Sequence, residues 1–277
     1  MRGREEVRLA LEEDRANEDV TTRLLGSRTK SPAVARFVAE GRFVVAGMPV
    51  VETVFHELDP SAQLRNAIPE GTWCEPGGTL VTAHASAATL LAGERVALNF
   101  LQRLCGIATV TRHCVDAVAG TGAAITHTRK TTPGLRELER YAVRMGGGIE
   151  NRGSLAEAVL WKDNHWELLG SSQRKLQDVL AAAPAGLEVI VEVESDQQLE
   201  EALAAGVMHL LVDNQTPERL AQWVRRAGAN VTVQASGGIT VETVRTYAGA
   251  GAKLISIGML THSAPAAPIG CEIRLTD

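Results

Sequence analysis

The sequence predicts a two-part α/β protein, a small N-terminal α+β domain followed by an incomplete α/β barrel, and three observations carry that reading. Six short apolar runs, at 123–126, 158–161, 188–193, 209–212, 231–235 and 254–257, alternate with helix-period segments. Polar and glycine clusters follow five of these runs at their C-terminal ends. A long helical period over 85–118 separates this region from a first third that is broken repeatedly by Gly and Pro.

In chain order, residues 5–13 read as an amphipathic helix and 17–22 as turn-rich. Short strand-like runs follow at 33–39, 41–49 and 72–82, which together predict the α+β domain. Over 85–118, Leu91, Val96, Leu98, Leu101 and Leu104 fall on one stripe, as in a buried helix joining two lobes. Helical patterns at 135–143, 176–183, 197–205, 217–226 and 241–249 fill the gaps between the later strands. Repeated βα units of this size give a parallel sheet, and six strands suit a partly open barrel better than a full eightfold one. The expected division is 1–110 for the first domain, with part of the tail 264–277 joining it, and 111–263 for the barrel.

The 277 residues, 45% of them hydrophobic, suffice for a sizeable core. With 28 Lys and Arg against 33 Asp and Glu, the net charge of -5 argues against generic nucleic-acid binding, so any cation cluster is a local pocket. Cys74, Cys105, Cys114 and Cys271 have no metal-type spacing and are expected as reduced, buried thiols. The charged start at 2–6 has no apolar signal core, and no apolar run reaches membrane-spanning length, so a cytoplasmic protein without membrane partners is expected.

The most informative segment is TRKTTPGL at 128–135, which places Arg129 and Lys130 directly after a strand. Arg offers a planar fork and Lys a compact ammonium, a pairing suited to a substrate with several anionic groups. Lys162, Asp163, Asn164 and His165 follow the next strand, Glu192 and Glu194 end a third, Asp213 and Asn214 follow a fourth, and Ser236, Gly237 and Gly238 a fifth. In α/β barrels such strand ends converge on one site. Arg129, Lys130, Arg152 and Lys162 then form a cationic floor, and Glu192 with Asp213 could share Mg²⁺, which binds through one or two carboxylates plus substrate phosphates. Gly237, Gly238 and Gly258 let backbone N–H groups approach a phosphate. Two other roles stay open from the residues alone: Glu192 and Asp213 as members of a structural ion network, and Lys162 as a Schiff-base lysine.

Taken together, EDVTT at 18–22, GERVALNFLQRLCGIAT at 93–109, HTRKTTPGLR at 127–136, YAVRMGGG at 141–148, KDNH at 162–165, VEVES at 191–195, VDN at 212–214 and ASGGI at 235–239 resemble the quinolinate phosphoribosyltransferase family. The resemblance implies an N-terminal α/β sandwich joined to a partly open α/β barrel. It implies transfer of the phosphoribosyl group of phosphoribosyl pyrophosphate to quinolinate, giving nicotinate mononucleotide, pyrophosphate and CO₂ for NAD biosynthesis. It further implies Mg²⁺ as cofactor and a homodimer, or a dimer-based higher oligomer, in which Arg95 crosses to the neighbouring subunit's site. Lys130, Lys162, Glu192 and Asp213 carry catalysis on this resemblance, with Glu192 and Asp213 also holding the metal and the ribose. Thr128, Arg129, Asn151 and Arg152 join the lysines around the substrates, while Ser236, Gly237, Gly238, Gly258 and His262 lie by the 5′-phosphate.

The chain departs from the family pattern on the acceptor side. The usual GGG-x-Asn-His-Arg reads Gly146-Gly147-Gly148-Ile149-Glu150-Asn151-Arg152, so a carboxylate and a neutral amide replace an amide and a histidine. His127 stands in place of Asp, Cys105 of Ser and Gln234 of Glu. Two alternatives therefore accompany the main reading: the same transfer to another heteroaromatic or aromatic carboxylic acid, as in a specialised-pathway paralogue, and a non-catalytic ligand-binding paralogue.

Overall fold

A computed structural model describes residues 3–172 and 174–276, so Arg2 of the charged start lies outside the described residues. The first part runs α1 (Arg4–Glu13), α2 (Val20–Arg23), β1 (Pro32–Ala39), β2 (Phe43–Val44), α3 (Met48–Leu58), β3 (Gln63–Arg65), β4 (Trp73–Cys74), β5 (Thr79–Ser86) and α4 (Ala87–Ala117). There follow β6 (Ala124–Thr126), α5 (Arg136–Met145), β7 (Ala158–Trp161), α6 (Asp163–Gly170), α7 (Leu176–Leu180), β8 (Glu188–Val193) and α8 (Asp196–Ala204). The chain ends with β9 (His209–Asp213), α9 (Pro217–Ala227), β10 (Thr232–Ser236), α10 (Val244–Gly249), β11 (Leu254–Ser256), α11 (Met259–His262) and β12 (Ile269–Leu275). Two compact units result: 1–112 with 132–147 and 263–277, and 113–131 with 148–262.

In the first unit β12, β1, β5 and β3 form an antiparallel sheet in that order. Alternation along β1 buries Ala33, Ala35, Phe37 and Ala39 on one face. Phe37 meets Phe55 of α3 edge-on, with ring centroids 6.1 Å apart. The strand expected over 41–49 is corrected: only Phe43–Val44 pairs, and Pro49 sits in the first turn of α3, where its missing N–H costs nothing. Gly47, at φ 112, precedes that helix in a conformation that favours glycine. The Glu70 carboxylate caps it from outside, accepting from the backbone N–H of Gly47 at 2.6 Å and Met48 at 2.8 Å. Residues 17–22 are not plain turn, since Asp19 caps the short α2 through the Thr21 and Thr22 N–H groups.

The second unit contains a parallel six-stranded sheet in the order β6-β11-β10-β9-β8-β7, which is not closed. The expected fold class, an incomplete α/β barrel with an N-terminal sheet domain, is what the chain adopts. Val191, Val193, Leu210, Val212, Val233, Ala235 and Ile255 are buried, as strands covered on both faces require. Ser195 starts α8 through a capping box with Gln198, and Thr216 starts α9 ahead of Pro217. No helix of the described residues is long and apolar enough to cross a membrane.

Candidate active site

The C-terminal ends of the parallel strands of the second unit surround a cavity of about 280 Å³. Its lining contains Thr128, Arg129, Lys130, Asn151, Arg152, Lys162, Glu192, Asp213 and Ser236, all expected from sequence, together with Leu160, Leu211 and Ser256. Arg129 and Lys130 follow β6, where Thr128 Oγ1 accepts from the Lys130 N–H at 3.1 Å. The Lys130 carbonyl in turn accepts from Thr261 Oγ1 of α11 at 2.8 Å. A Cβ added at Gly258 would lie 3.2 Å from Lys130 Cδ and 3.1 Å from His262 Nε2, so Gly258 leaves room for both side chains. Gly258, His262, Gly237 and Gly238 do not themselves line the cavity. Arg95 is exposed on α4 in the first unit and is likewise absent from the lining.

Lys162 is the residue before α6, a helix not expected from sequence, whose N-terminus is formed by the KDNH motif. His165 Nδ1 accepts from the Lys162 N–H at 2.9 Å, which fixes the turn from β7 into the helix. The Lys162 ammonium then reaches Glu192 Oε2 at 3.2 Å. Burial pushes the Glu192 carboxyl above its ordinary 4.5, Lys162 pulls it back, and Asp213 adds to the rise. Burial, and then the neighbouring Arg129, lowers the Arg152 pKa from its ordinary value. Arg129 Nε is buried without a hydrogen-bond partner among the described residues. A buried donor without a partner beside three further cations is the environment in which an anionic ligand supplies the missing acceptors.

Glu192, Glu194 and Asp213 each place a carboxylate oxygen within 4.8 Å of the others, a set of hard oxygen donors that fits a divalent cation. Glu194 was not in the expected metal set. Its signal is the VEVE alternation, which puts Glu192 and Glu194 on the same side of β8 and its extension. Ser256 and the apolar Leu160 and Leu211 were also missed, because they lie within strand runs that read as core. Asn214, at φ 52, turns back so that its amide donates to Asp213 Oδ2 at 2.6 Å. Gly237, at φ 91, packs beneath it: an added Cβ would come 2.7 Å from the Asn214 backbone nitrogen.

Asn151, also in the lining, is committed to the backbone. Its Nδ2 donates to the His127 carbonyl at 3.0 Å and its Oδ1 accepts from the Arg152 N–H at 2.8 Å. A larger hollow of about 600 Å³ lies within the first unit, lined by helix side chains including Phe100, Leu104 and Leu138. Its one lining cation, Arg103, is bound to Glu139 at 2.8 Å, its other charged lining groups, Glu6, Glu13 and Asp14, are acidic, and it lacks the convergent strand ends. The smaller cavity is therefore the candidate site.

Comparison with known proteins gives the family. Residues 19–105 match the model of the quinolinate phosphoribosyl transferase N-terminal domain, and residues 107–271 match that of the C-terminal domain. The chain belongs to the quinolinate phosphoribosyltransferase family. It is 38% identical over 263 residues to a probable nicotinate-nucleotide pyrophosphorylase (carboxylating) of Bacillus subtilis, covering 94% of this chain and 91% of that one. The nicotinate-nucleotide pyrophosphorylase (carboxylating) of Mycobacterium leprae is 38% identical, covering 98% and 96% respectively. Among solved structures, NadC from Streptococcus pyogenes superposes with a TM-score of 0.92 at 35% identity, covering 99% of this chain and 96% of that one. The Ehrlichia chaffeensis nicotinate-nucleotide pyrophosphorylase gives 0.90 at 34% identity, covering 98% of each. The quinolinate phosphoribosyltransferase family thus spans both units of this chain.

Proposed function

We propose that this member of the family transfers the phosphoribosyl group of phosphoribosyl pyrophosphate to the ring nitrogen of quinolinate, giving nicotinate mononucleotide, pyrophosphate and CO₂. The observation that carries the reading is the convergence of Arg129, Lys130, Arg152 and Lys162 with Glu192 and Asp213 around one cavity. The pyridine nitrogen attacks C1 of the ribose, the C1–oxygen bond to pyrophosphate breaks, and the electron pair leaves with pyrophosphate. The cations meet the charge that develops on the leaving group, which is where fixed electrostatics lower a barrier most. The C2–carboxylate bond then breaks to release CO₂, its electron pair stays on C2 as an ylide stabilised by the adjacent positive ring nitrogen, and a proton adds at C2.

In this scheme Lys130 and Lys162 face the developing negative charge. Glu192 and Asp213, with Glu194 beside them, would hold Mg²⁺ and the ribose hydroxyls. The ion, when bound, supplies charge neutralisation for the pyrophosphate. Thr128, Arg129, Asn151 and Arg152 border the substrates, and Ser236, Gly237, Gly238, Gly258 and His262 serve the 5′-phosphate end. The functional form is a homodimer to which Arg95 contributes across the interface, working in NAD biosynthesis in the cytoplasm.

A second acceptor, another aromatic or heteroaromatic acid, is favoured by one observation: Asn151, at the position of the family's histidine, has its amide tied to backbone at both ends. An acceptor panel separates the two readings. Phosphoribosyl pyrophosphate is supplied with quinolinate, nicotinate and benzoic or pyridine mono- and dicarboxylates in turn, and products are weighed by mass spectrometry. Nicotinate mononucleotide formed from quinolinate above all other products supports the main reading, and a better acceptor replaces it.

A further inference from the structure

β6 and β7 are the outer strands of the open sheet, and residues 149–153 are attached to both. On the β6 side Ile149 bridges to Thr126, its N–H donates to the Ile125 carbonyl at 2.8 Å, and its own carbonyl accepts from Thr126 Oγ1 at 3.1 Å. On the β7 side Arg152 Nη1 donates to the Ala158 carbonyl at 3.3 Å. Between these attachments His127 Nε2 lies 3.0 Å from Glu150 Oε2 and 3.2 Å from the Asn151 backbone nitrogen. The Asn151 amide closes the loop on the His127 carbonyl.

His127 is 1% exposed and its Nδ1 has no hydrogen-bond partner among the described residues, whereas the Glu150 side chain is 44% exposed. A buried imidazole that leaves one nitrogen unsatisfied is a costly way to fill space. The contacts of the group fall on residues 150 and 151, and the same segment delivers Asn151 and, as its cation, Arg152 into the cavity. The central strands β8, β9 and β10 carry Glu192, Asp213 and Ser236, while Arg152 enters at the margin between β6 and β7.

We infer that the His127–Glu150 pair is a positioning staple that holds Arg152 toward a carboxylate of the acceptor acid, and so sets affinity for the acceptor rather than for phosphoribosyl pyrophosphate. The inference rests on the proposed transferase reading. His127 and Glu150 are positioning residues here, acting through Arg152.

The test uses Glu150→Gln, a change at a half-exposed side chain that keeps its size. Initial rates are measured against each substrate with the other saturating, and hydrogen exchange is followed across residues 148–153. The staple predicts a KM for quinolinate raised at least tenfold, a KM for phosphoribosyl pyrophosphate within twofold of wild type, and faster exchange confined to that segment. His127→Asn, alone and combined with Glu150→Gln, should be no worse in combination than singly, because both changes break one unit. An unaltered KM for quinolinate, or an equal rise for both substrates, overturns the staple while wild-type turnover upholds the transferase. A wild type that makes no product from any acceptor overturns the transferase reading itself, and the role assigned to the staple falls with it.

Discussion

Replacing Lys162 with Met keeps the aliphatic stem and removes the ammonium that lies 3.2 Å from Glu192. Glu192 is 6% exposed, so the change leaves a buried carboxylate without its nearest cation. Breaking a fully buried pair costs about 3–5 kcal/mol, but the Lys162 side chain is 44% exposed and water can reach the vacated position. Discounting for that solvent access leaves about 1–2 kcal/mol. At about 2–4 °C per kcal/mol, the unfolding midpoint should fall by about 2–8 °C. The loss depends on pH. Burial already holds the Glu192 carboxyl above 4.5, and removing Lys162 raises it further. The folded variant then binds a proton more tightly than the unfolded chain, so its stability falls as pH rises from 4.5. The deficit relative to wild type should be small at pH 4.5 and full at pH 8. Turnover should drop by about 10²–10³, the range for losing one fixed charge at a developing oxyanion. Adding Glu192→Gln should return the midpoint while turnover stays lost. A deficit that is equal at both pH values, or normal turnover in Lys162→Met, would refute this reasoning.

Lys130→Ala should abolish measurable turnover yet leave the unfolding midpoint within about 2 °C, because an exposed lysine contributes little packing; steady-state rates and a thermal scan decide it. Gly237→Ala should destabilise by about 2–5 kcal/mol, adding about 1–2 for a left-handed alanine to about 1–3 for forcing its Cβ against Asn214. That variant should also lose turnover, since Asn214 contacts Asp213, and denaturant titration with an activity assay checks both. Glu70→Gln tests the external cap of α3. Burial holds the Glu70 carboxyl above 4.5 against the N–H groups of Gly47 and Met48, so the wild type loses the benefit of the bound proton as pH rises from 4.5. The midpoint of the variant relative to wild type should therefore climb between pH 4.5 and 7, and a constant difference would contradict the burial argument.

Much of the fold was legible because strands buried on both faces read as continuous apolar runs, which located β6 to β11 to within one or two residues. The segment from 41 to 58 was not legible. Gly47 and Pro49 look like turn signals, and the capping carboxylate that makes them a helix start, Glu70, lies more than 20 residues away in sequence. The helix after KDNH was missed for a related reason, because its N-terminus is built from backbone-to-imidazole geometry at Lys162 and His165 rather than from a Ser, Thr or Asp cap. At the candidate site, strand-end clusters announced where the cations and carboxylates stand. The substitutions at His127 and Glu150 were visible in the sequence, but their contact was not, since 23 residues separate them and only the pairing of Ile149 with β6 brings them together.

The proposed activity of the cation-lined cavity is a decarboxylating phosphoribosyl transfer. Its most direct test supplies the protein with phosphoribosyl pyrophosphate, Mg²⁺ and quinolinate isotopically labelled in the 2-carboxylate, and quantifies nicotinate mononucleotide, pyrophosphate and labelled CO₂ together. Equal amounts of the three products, all lost on omitting Mg²⁺ and in Lys130→Ala, are the predicted result. Pyrophosphate release without labelled CO₂, or no mononucleotide at all, would contradict it.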